Sequence, residues 1–293
     1  MIHYQDKDFS QIYEAILHDL AYSPEYITKP RDMVIKENCD VSIVLEDPTS
    51  CLYTNPLRSS QFKYIAAEFL WYFMGRNDVA WISKYAKFWE HIQNPNGTVH
   101  SSYGNLLFTN KNEHGYSQYE WAHQSLVKDK DTRQAVLHFN LPMHQSFENK
   151  DFVCTMYGIF QIRENKLNFT VHMRSNDVIL GLPTDIAFFA VLQMQMLNHL
   201  KITYPDLELG TYTHIANSLH VYERHFELVE NMLAHPFKPE TMPKVRQNLI
   251  TLDGRPTADF ELLFKSEALS KIEFKMCYVG EDNLYKWIKN NLV

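Results

Sequence analysis

The 293-residue chain has little of what marks a disulfide scaffold, a membrane span or a nucleic-acid binder. Its four cysteines, Cys39, Cys51, Cys154 and Cys277, include no CxxC spacing. They read as free thiols in a reducing compartment, not as a disulfide frame or a zinc site. No apolar run approaches the roughly 18 residues of a membrane helix, and no signal-peptide pattern opens the sequence, so a cytoplasmic protein with no membrane partner is expected. No lysine-rich block is present and the formal net charge is −7. Tight binding to duplex nucleic acid through phosphate neutralisation is thereby disfavoured, while a small anion held by a few arginines stays open. Histidines and carboxylates nowhere fall into a metal-ligand spacing such as HExxH, and no metal is expected.

What is there is core. Apolar residues make up 45% and aromatics 14% of the chain, enough for one large α+β domain over residues 1–293. Helical spacing of apolar residues predicts helices over 8–20 and 60–74, the second capped by Gly75. Further helices are predicted over 79–92, 116–127, 184–200 with Thr184 as N-cap, and 220–233. Strands are predicted at 41–48, at AVLHFN (135–140), at 152–162 and 167–173 joined by a turn at Glu164-Asn165, and at 210–215. The segment 235–258 reads as a proline-interrupted loop, followed by a closing strand FELLF, the run IEFKMCYV and a short helix.

Residues 152–188 hold a thiol, a guanidinium and a carboxylate within one βαβ-sized span: Cys154, Arg174 and Asp185. On position alone Cys154 reads equally well as an inert core thiol, and Asp185 as an ordinary acid at a helix N-terminus. Glu68 sits in the apolar run AEFLWYFM, where a carboxylate must pair or its pKa must rise.

Six segments in order resemble the thymidylate synthase superfamily: AEFLWYFMG, SSYG, DTRQ, VCT, MRSNDVILGLPTDIAFF and GTYTHIANSLHVYERH. Two departures point to one branch. Thr155 follows the cysteine where thymidylate enzymes have histidine, and Asp185 stands in LGLPTD where they have asparagine. Both are shared with the deoxycytidylate hydroxymethylases of T-even phages. The resemblance implies a large twisted mixed sheet packed by helices, with dimerisation through the sheet face. It implies transfer of a hydroxymethyl group from 5,10-methylenetetrahydrofolate to C5 of dCMP, supplying a modified base for phage-type DNA in a host cytoplasm. CMP hydroxymethylation, thymidylate synthesis from dUMP and a non-catalytic nucleotide-binding dimer are the alternatives.

The roles carried over are these. Cys154 is the thiolate that adds to C6 and makes C5 an enamine carbon, with Arg174 supplying the positive charge a thiolate needs. Asp185 reads cytosine: it accepts the N4 hydrogen and shares a proton with N3, which becomes more basic in the adduct. Against uracil it faces O4 unpaired, a mismatch worth roughly 10⁴-fold. Glu68 manages protons and delivers water to the exocyclic methylene. Arg174, Ser175 and Arg31 hold the phosphate, and Arg133 reaches it from the neighbouring subunit. Gln134 replaces a second family arginine. His220 and Tyr222 take the sugar 3′-hydroxyl, Tyr103 lies near the thiol and Asp177 near the folate. Trp89 and Leu180 are assigned to the pterin side, although such residues are usually core. Cys39, Cys51 and Cys277 are read as structural.

Overall fold

The computed structural model of the protein describes residues 2–267 and 283–292. Cys277 and the run IEFKMCYV lie outside the described residues. An eight-stranded mixed sheet organises the rest. Its path runs β1 (Ile2–Asp6), β3 (Ile35–Leu45), β9 (Glu208–Tyr222), β7 (Lys166–Met173), β6 (Thr155–Arg163) and β5 (Val136–His138). The short strands β2 (Tyr26–Thr28) and β8 (Asn176–Asp177) pair with β3 and β9. β9 runs antiparallel to β3 and parallel to β7 and β8, so it is the seam on which the segments meet.

The period of two along the strands makes one face of the sheet apolar. In β7, Leu167, Phe169, Val171 and Met173 are buried while the residues between them are half-exposed. In β9, Gly210, Tyr212, His214 and Ala216 point to the same buried side. Helices α1 (Phe9–Tyr22), α2 (Phe62–Phe73) and α6 (Leu182–Leu200) bring their apolar residues into the core on that side. The β6–β7 hairpin turns at Glu164 (φ 48°) and Asn165 (φ 61°), both left-handed, as a two-residue turn compatible with strand twist requires. The α+β architecture is the one the sequence predicts.

Several boundaries differ from expectation. Residues 79–92 form two short helices, α3 (Val79–Ile82) and α4 (Phe88–Ile92), not one. The break lets Trp81 Nε1 and Tyr85 OH donate to the two oxygens of Glu267, at 3.2 and 2.6 Å. β3 begins at Ile35, and β9 continues to Tyr222, because each extension is the other's hydrogen-bonding partner: Ile35 faces Tyr222. Helix α7 (Phe226–Leu233) therefore starts at Phe226, not at 220. Thr184 is not the cap of α6. The helix begins at Leu182 with Pro183 in its first turn, and Thr184 Oγ1 donates to the Gly181 carbonyl at 2.9 Å. FELLF is part of helix α8 (Ala258–Ser266), where Thr257 accepts the Phe260 N–H and Phe260 and Leu263 are buried one turn apart. A short strand β10 (Lys238–Glu240) pairs with β4 (Leu52–Thr54) inside the predicted loop.

Candidate active site

Cys154 precedes β6, and its carbonyl accepts the Arg174 backbone N–H at 2.9 Å. Strand pairing thus sets the thiol beside the guanidinium, with Arg174 Nη2 at 3.5 Å from Sγ. The same guanidinium donates to the carbonyls of Phe152 and Val153 and lies over the Phe152 ring. Among the described residues no hydrogen bond reaches its Nη1 group, which can serve a ligand. Burial pushes the Cys154 thiol above its ordinary pKa. Arg174 and, more weakly, Arg31 oppose this, while Asp185 and Asp151 add to it. Arg174 is thus the main group that opposes the effect of burial on the thiol. Arg31 lies on a turn with φ 52°, a left-handed conformation unusual for arginine.

Asp185 stands in the first turn of α6 and is half-buried. Its Oδ2 accepts from Asn176 Nδ2 at 2.7 Å and its Oδ1 from Tyr103 OH at 3.1 Å. Tyr103 in turn accepts from Thr155 Oγ1 at 2.8 Å, so the threonine that replaces the family histidine carries the next link. Two glycines permit this closeness. A Cβ on Gly181 would lie 2.9 Å from Asn176 Nδ2 and 3.3 Å from Asp185 Oδ2. A Cβ on Gly104 would lie 1.7 Å from the Tyr72 carbonyl oxygen. Burial raises Asp185 to about 7, while Asn176 and Tyr103 pull it down.

Glu68 occupies the middle of α2 and is 6% exposed. Tyr64 and Tyr72, one turn before and after it, share its face. Both hydroxyls donate to Oε1, at 2.7 and 3.3 Å, and Trp89 Nε1 donates to Tyr64 OH at 2.9 Å. Among the described residues nothing bonds Oε2. Burial raises Glu68 to about 8 against the lowering effect of its tyrosines, with the negative charge of Asp185 adding to the rise.

His220 and Tyr222 sit at the end of β9 with their rings perpendicular, 5.0 Å apart. Burial lowers the His220 pKa, opposed by Asp177, the Ser218 backbone and Glu37. Ser218 gives its proton to Glu37 and faces His220 Nδ1 at 3.4 Å. Nδ1 therefore carries the imidazole proton and Nε2 is an acceptor, suited to a hydroxyl donor. Asp177 Oδ1 accepts the backbone N–H groups of Ile179 and Leu180, at 2.7 and 3.2 Å. Among the described residues its Oδ2 is buried without a hydrogen-bond partner. Leu180 beside it is 46% exposed, unlike a core leucine, whereas Trp89 is buried against Trp71. Ser175 follows Arg174 at the half-buried end of β7. Arg133 is exposed, and no hydrogen bond or ion pair ties it to this cluster among the described residues.

The fold thus sets Cys154 beside Arg174, links Thr155, Tyr103, Asp185 and Asn176 by hydrogen bonds, and places Cys154 and Glu68 close enough to feel the Asp185 charge, with Arg31, His220 and Asp177 at the margin. Sequence reasoning missed Tyr64, Tyr72, Asn176, Tyr212 and His214. The spacing of four on either side of Glu68 was a visible signal for the first two. Arg58, also missed, donates to the Ile179 carbonyl at 3.3 Å and so fastens the turn that presents Leu180.

The family model for thymidylate synthase matches residues 34–277. A deoxycytidylate 5-hydroxymethyltransferase of Enterobacteria phage T6 is 32% identical over 151 residues, which cover 50% of this chain and 60% of that protein. The phage T4 protein of the same name is 31% identical over the same shares. A deoxyuridylate hydroxymethyltransferase of Bacillus phage SP01 is 29% identical over 223 residues, 73% of this chain and 57% of that one. The matches therefore span about 60% of the length of these curated relatives. Among solved structures, thermostable thymidylate synthase A from Bacillus subtilis superposes with a TM-score of 0.63 at 20% identity, over 81% of this chain and 87% of that one. With the family's segments in order along the matched residues and its fold around them, the chain belongs to the thymidylate synthase family.

Proposed function

We propose that the protein transfers a hydroxymethyl group to C5 of dCMP, with 5,10-methylenetetrahydrofolate as the one-carbon donor. The observation that carries this reading is Asp185, an acid in the first turn of α6 whose two oxygens are each held by one donor and whose pKa is raised to about 7. Such a carboxyl is half protonated near neutrality. It can give a proton to cytosine N3 through one oxygen and accept the N4 hydrogen through the other. The N–H and carbonyl of uracil do not match it as well. The phage relatives named for deoxycytidylate support the choice.

The residues divide the work. Cys154 adds to C6 as its thiolate. Burial disfavours that thiolate, and the Arg174 guanidinium opposes the effect. Arg174 stabilises the anion and offers Nη1 to the phosphate, with Ser175 and Arg31 beside it. The folate, when bound, supplies the methylene carbon that C5 attacks. The orphaned Oδ2 of Asp177 fits an N–H donor of a pterin, and Leu180 offers an apolar surface next to it. Glu68, with Oε1 tied to two tyrosines and Oε2 open, orients the water that adds to the exocyclic methylene and takes its proton. Loss of the C5 proton accompanies release of the folate and precedes the addition of water; departure of the Cys154 sulfur afterwards restores the aromatic ring. His220 Nε2 and Tyr222 receive the sugar hydroxyl. The half-exposed sheet face, with Asn168, Thr170, His172 and Ile215, is proposed to pair with a second copy whose Arg133 completes the phosphate site.

A second reading, hydroxymethylation of dUMP, is favoured by the SP01 relative. The experiment that decides is incubation with methylenetetrahydrofolate and each of dCMP, CMP and dUMP, followed by mass spectrometry. Addition of CH2O to dCMP, abolished in Cys154→Ser, is expected. Turnover of dUMP alone, or a methylated product, overturns the proposal.

A further inference from the structure

Behind Asp185 lies a column of polar side chains that the steps above do not use. Tyr212 and His214 point to the buried face of β9, and Asn176 comes from β8 beside it. Tyr212 OH is 2.8 Å from His214 Nδ1, His214 Nε2 is 3.1 Å from Asn176 Oδ1, and Asn176 Nδ2 is 2.7 Å from Asp185 Oδ2. His214 is wholly buried, and burial lowers its pKa to about 3, so the ring is neutral. A neutral imidazole has one donor and one acceptor nitrogen, so the column has only two self-consistent polarities. In one, every proton points toward Asp185: tyrosine to imidazole, imidazole to amide oxygen, amide nitrogen to carboxylate. In the other, Asp185 donates to a flipped Asn176 and His214 donates to Tyr212.

The Tyr212 hydroxyl chooses between them. Its only hydrogen-bond partner among the described residues is His214. In the second polarity its own proton is buried without an acceptor, which is unfavourable. The first polarity satisfies every group in the column.

We propose that Tyr212, His214 and Asn176 are positioning residues that keep Asp185 Oδ2 an acceptor, confine the Asp185 proton to Oδ1, and thereby set which pyrimidine the site prefers. This rests on the reading of Asp185 as the group that meets the base. Other ionisable groups also face Asp185: Glu68, Tyr64 and Tyr72 from α2, Tyr103 from the loop before Gly104, Cys154 before β6 and Tyr212 itself. None of them bonds Oδ2, so the column alone fixes the sense of that oxygen.

The test is the ratio of kcat/KM for dCMP to that for dUMP in Tyr212→Phe, His214→Phe and His214→Gln. Tyr212→Phe removes one hydroxyl and nothing else, so folding is retained even if His214→Phe is unstable. The expected result is a change of about 10-fold in the ratio for the two Phe variants. His214→Gln, whose amide can donate to Asn176 and accept from Tyr212, keeps the wild-type ratio. A purely structural role would scale both substrates alike and leave every ratio unchanged, which overturns the proposal. A second readout needs no turnover: in carbon-13 spectra of labelled aspartate, assigned with Asp185→Asn, the Asp185 titration moves to higher pH in Asn176→Ala. No movement also counts against the column. The wild-type ratio reports on the proposed function, and its change between variants reports on the column, so the two fail separately.

Discussion

Two carboxyl groups share the buried volume beside Cys154, and both bind protons more tightly than they would in water. Burial is the main cause for each, and it lifts Glu68 to about 8 and Asp185 to about 7. The sign of the consequence follows from which state holds the proton. Between about pH 4 and 8 the folded protein keeps protons that the unfolded chain has released. The stability these groups contribute is full below about pH 4 and is lost as pH rises through 7 to 8. Glu68→Gln removes one of the two, and its amide oxygen still accepts from Tyr64 and Tyr72. The thermal midpoint of the wild type, measured at pH 5 and at pH 8, is expected to fall by more than that of Glu68→Gln. Equal falls would mean that Glu68 ionises at an ordinary carboxylate pKa. Under the proposed mechanism the same variant is expected to lose turnover of dCMP, which the mass-spectrometric assay would check.

At the level of elements, the site depends on how closely its segments approach. The loop carrying Tyr103 crosses α2 where Gly104 meets the Tyr72 carbonyl, and no side chain fits between them. Gly104→Ala is expected to lower stability by about 1–3 kcal/mol in urea unfolding, and to weaken the Tyr103–Asp185 contact with it. An unchanged midpoint would show that the loop can move aside at no cost. Much of this was legible beforehand. The helix around Glu68, the hairpin at Glu164-Asn165 and the adjacency of Cys154 to Arg174 all follow from local pattern or motif order. What was not legible has physical reasons. Tyr64 and Tyr72 read as core aromatics because period alone does not reveal where a hydroxyl points. His214 occupies one alternating position of a strand, and its use depends on Asn176, 38 residues away in sequence. The break after Ile82 answers to Glu267, which no window around residue 82 contains. FELLF is too short an apolar run to separate helix from strand by period.

Across the whole molecule, acid acts against the fold from a different place. His199 and His123 are buried between α6 and α5 (Gln118–Lys128), with ring centroids 6.0 Å apart. Burial lowers both, His199 to about 4. Their contribution to stability is full above the ordinary histidine pKa near 6.5 and is lost as pH falls toward 4. Neither ring nitrogen of His123 finds a hydrogen-bond partner among the described residues. His123→Leu is therefore expected to raise the thermal midpoint at pH 7 and to flatten its decline toward pH 5. A lower midpoint at both pH values would show that the ring is needed for packing. The seam strand carries a further consequence. β9 joins β3, laid down early in the chain, to β7 and β8, made much later, and Ile35 lies opposite Tyr222. Closing so long a loop costs entropy before any contact repays it, and makes folding slow. Tyr212, His214 and His220 all ride on that strand. A nascent or proteolytically nicked chain that lacks it cannot assemble the candidate site, which is complete only once β9 has docked between β3 and β7.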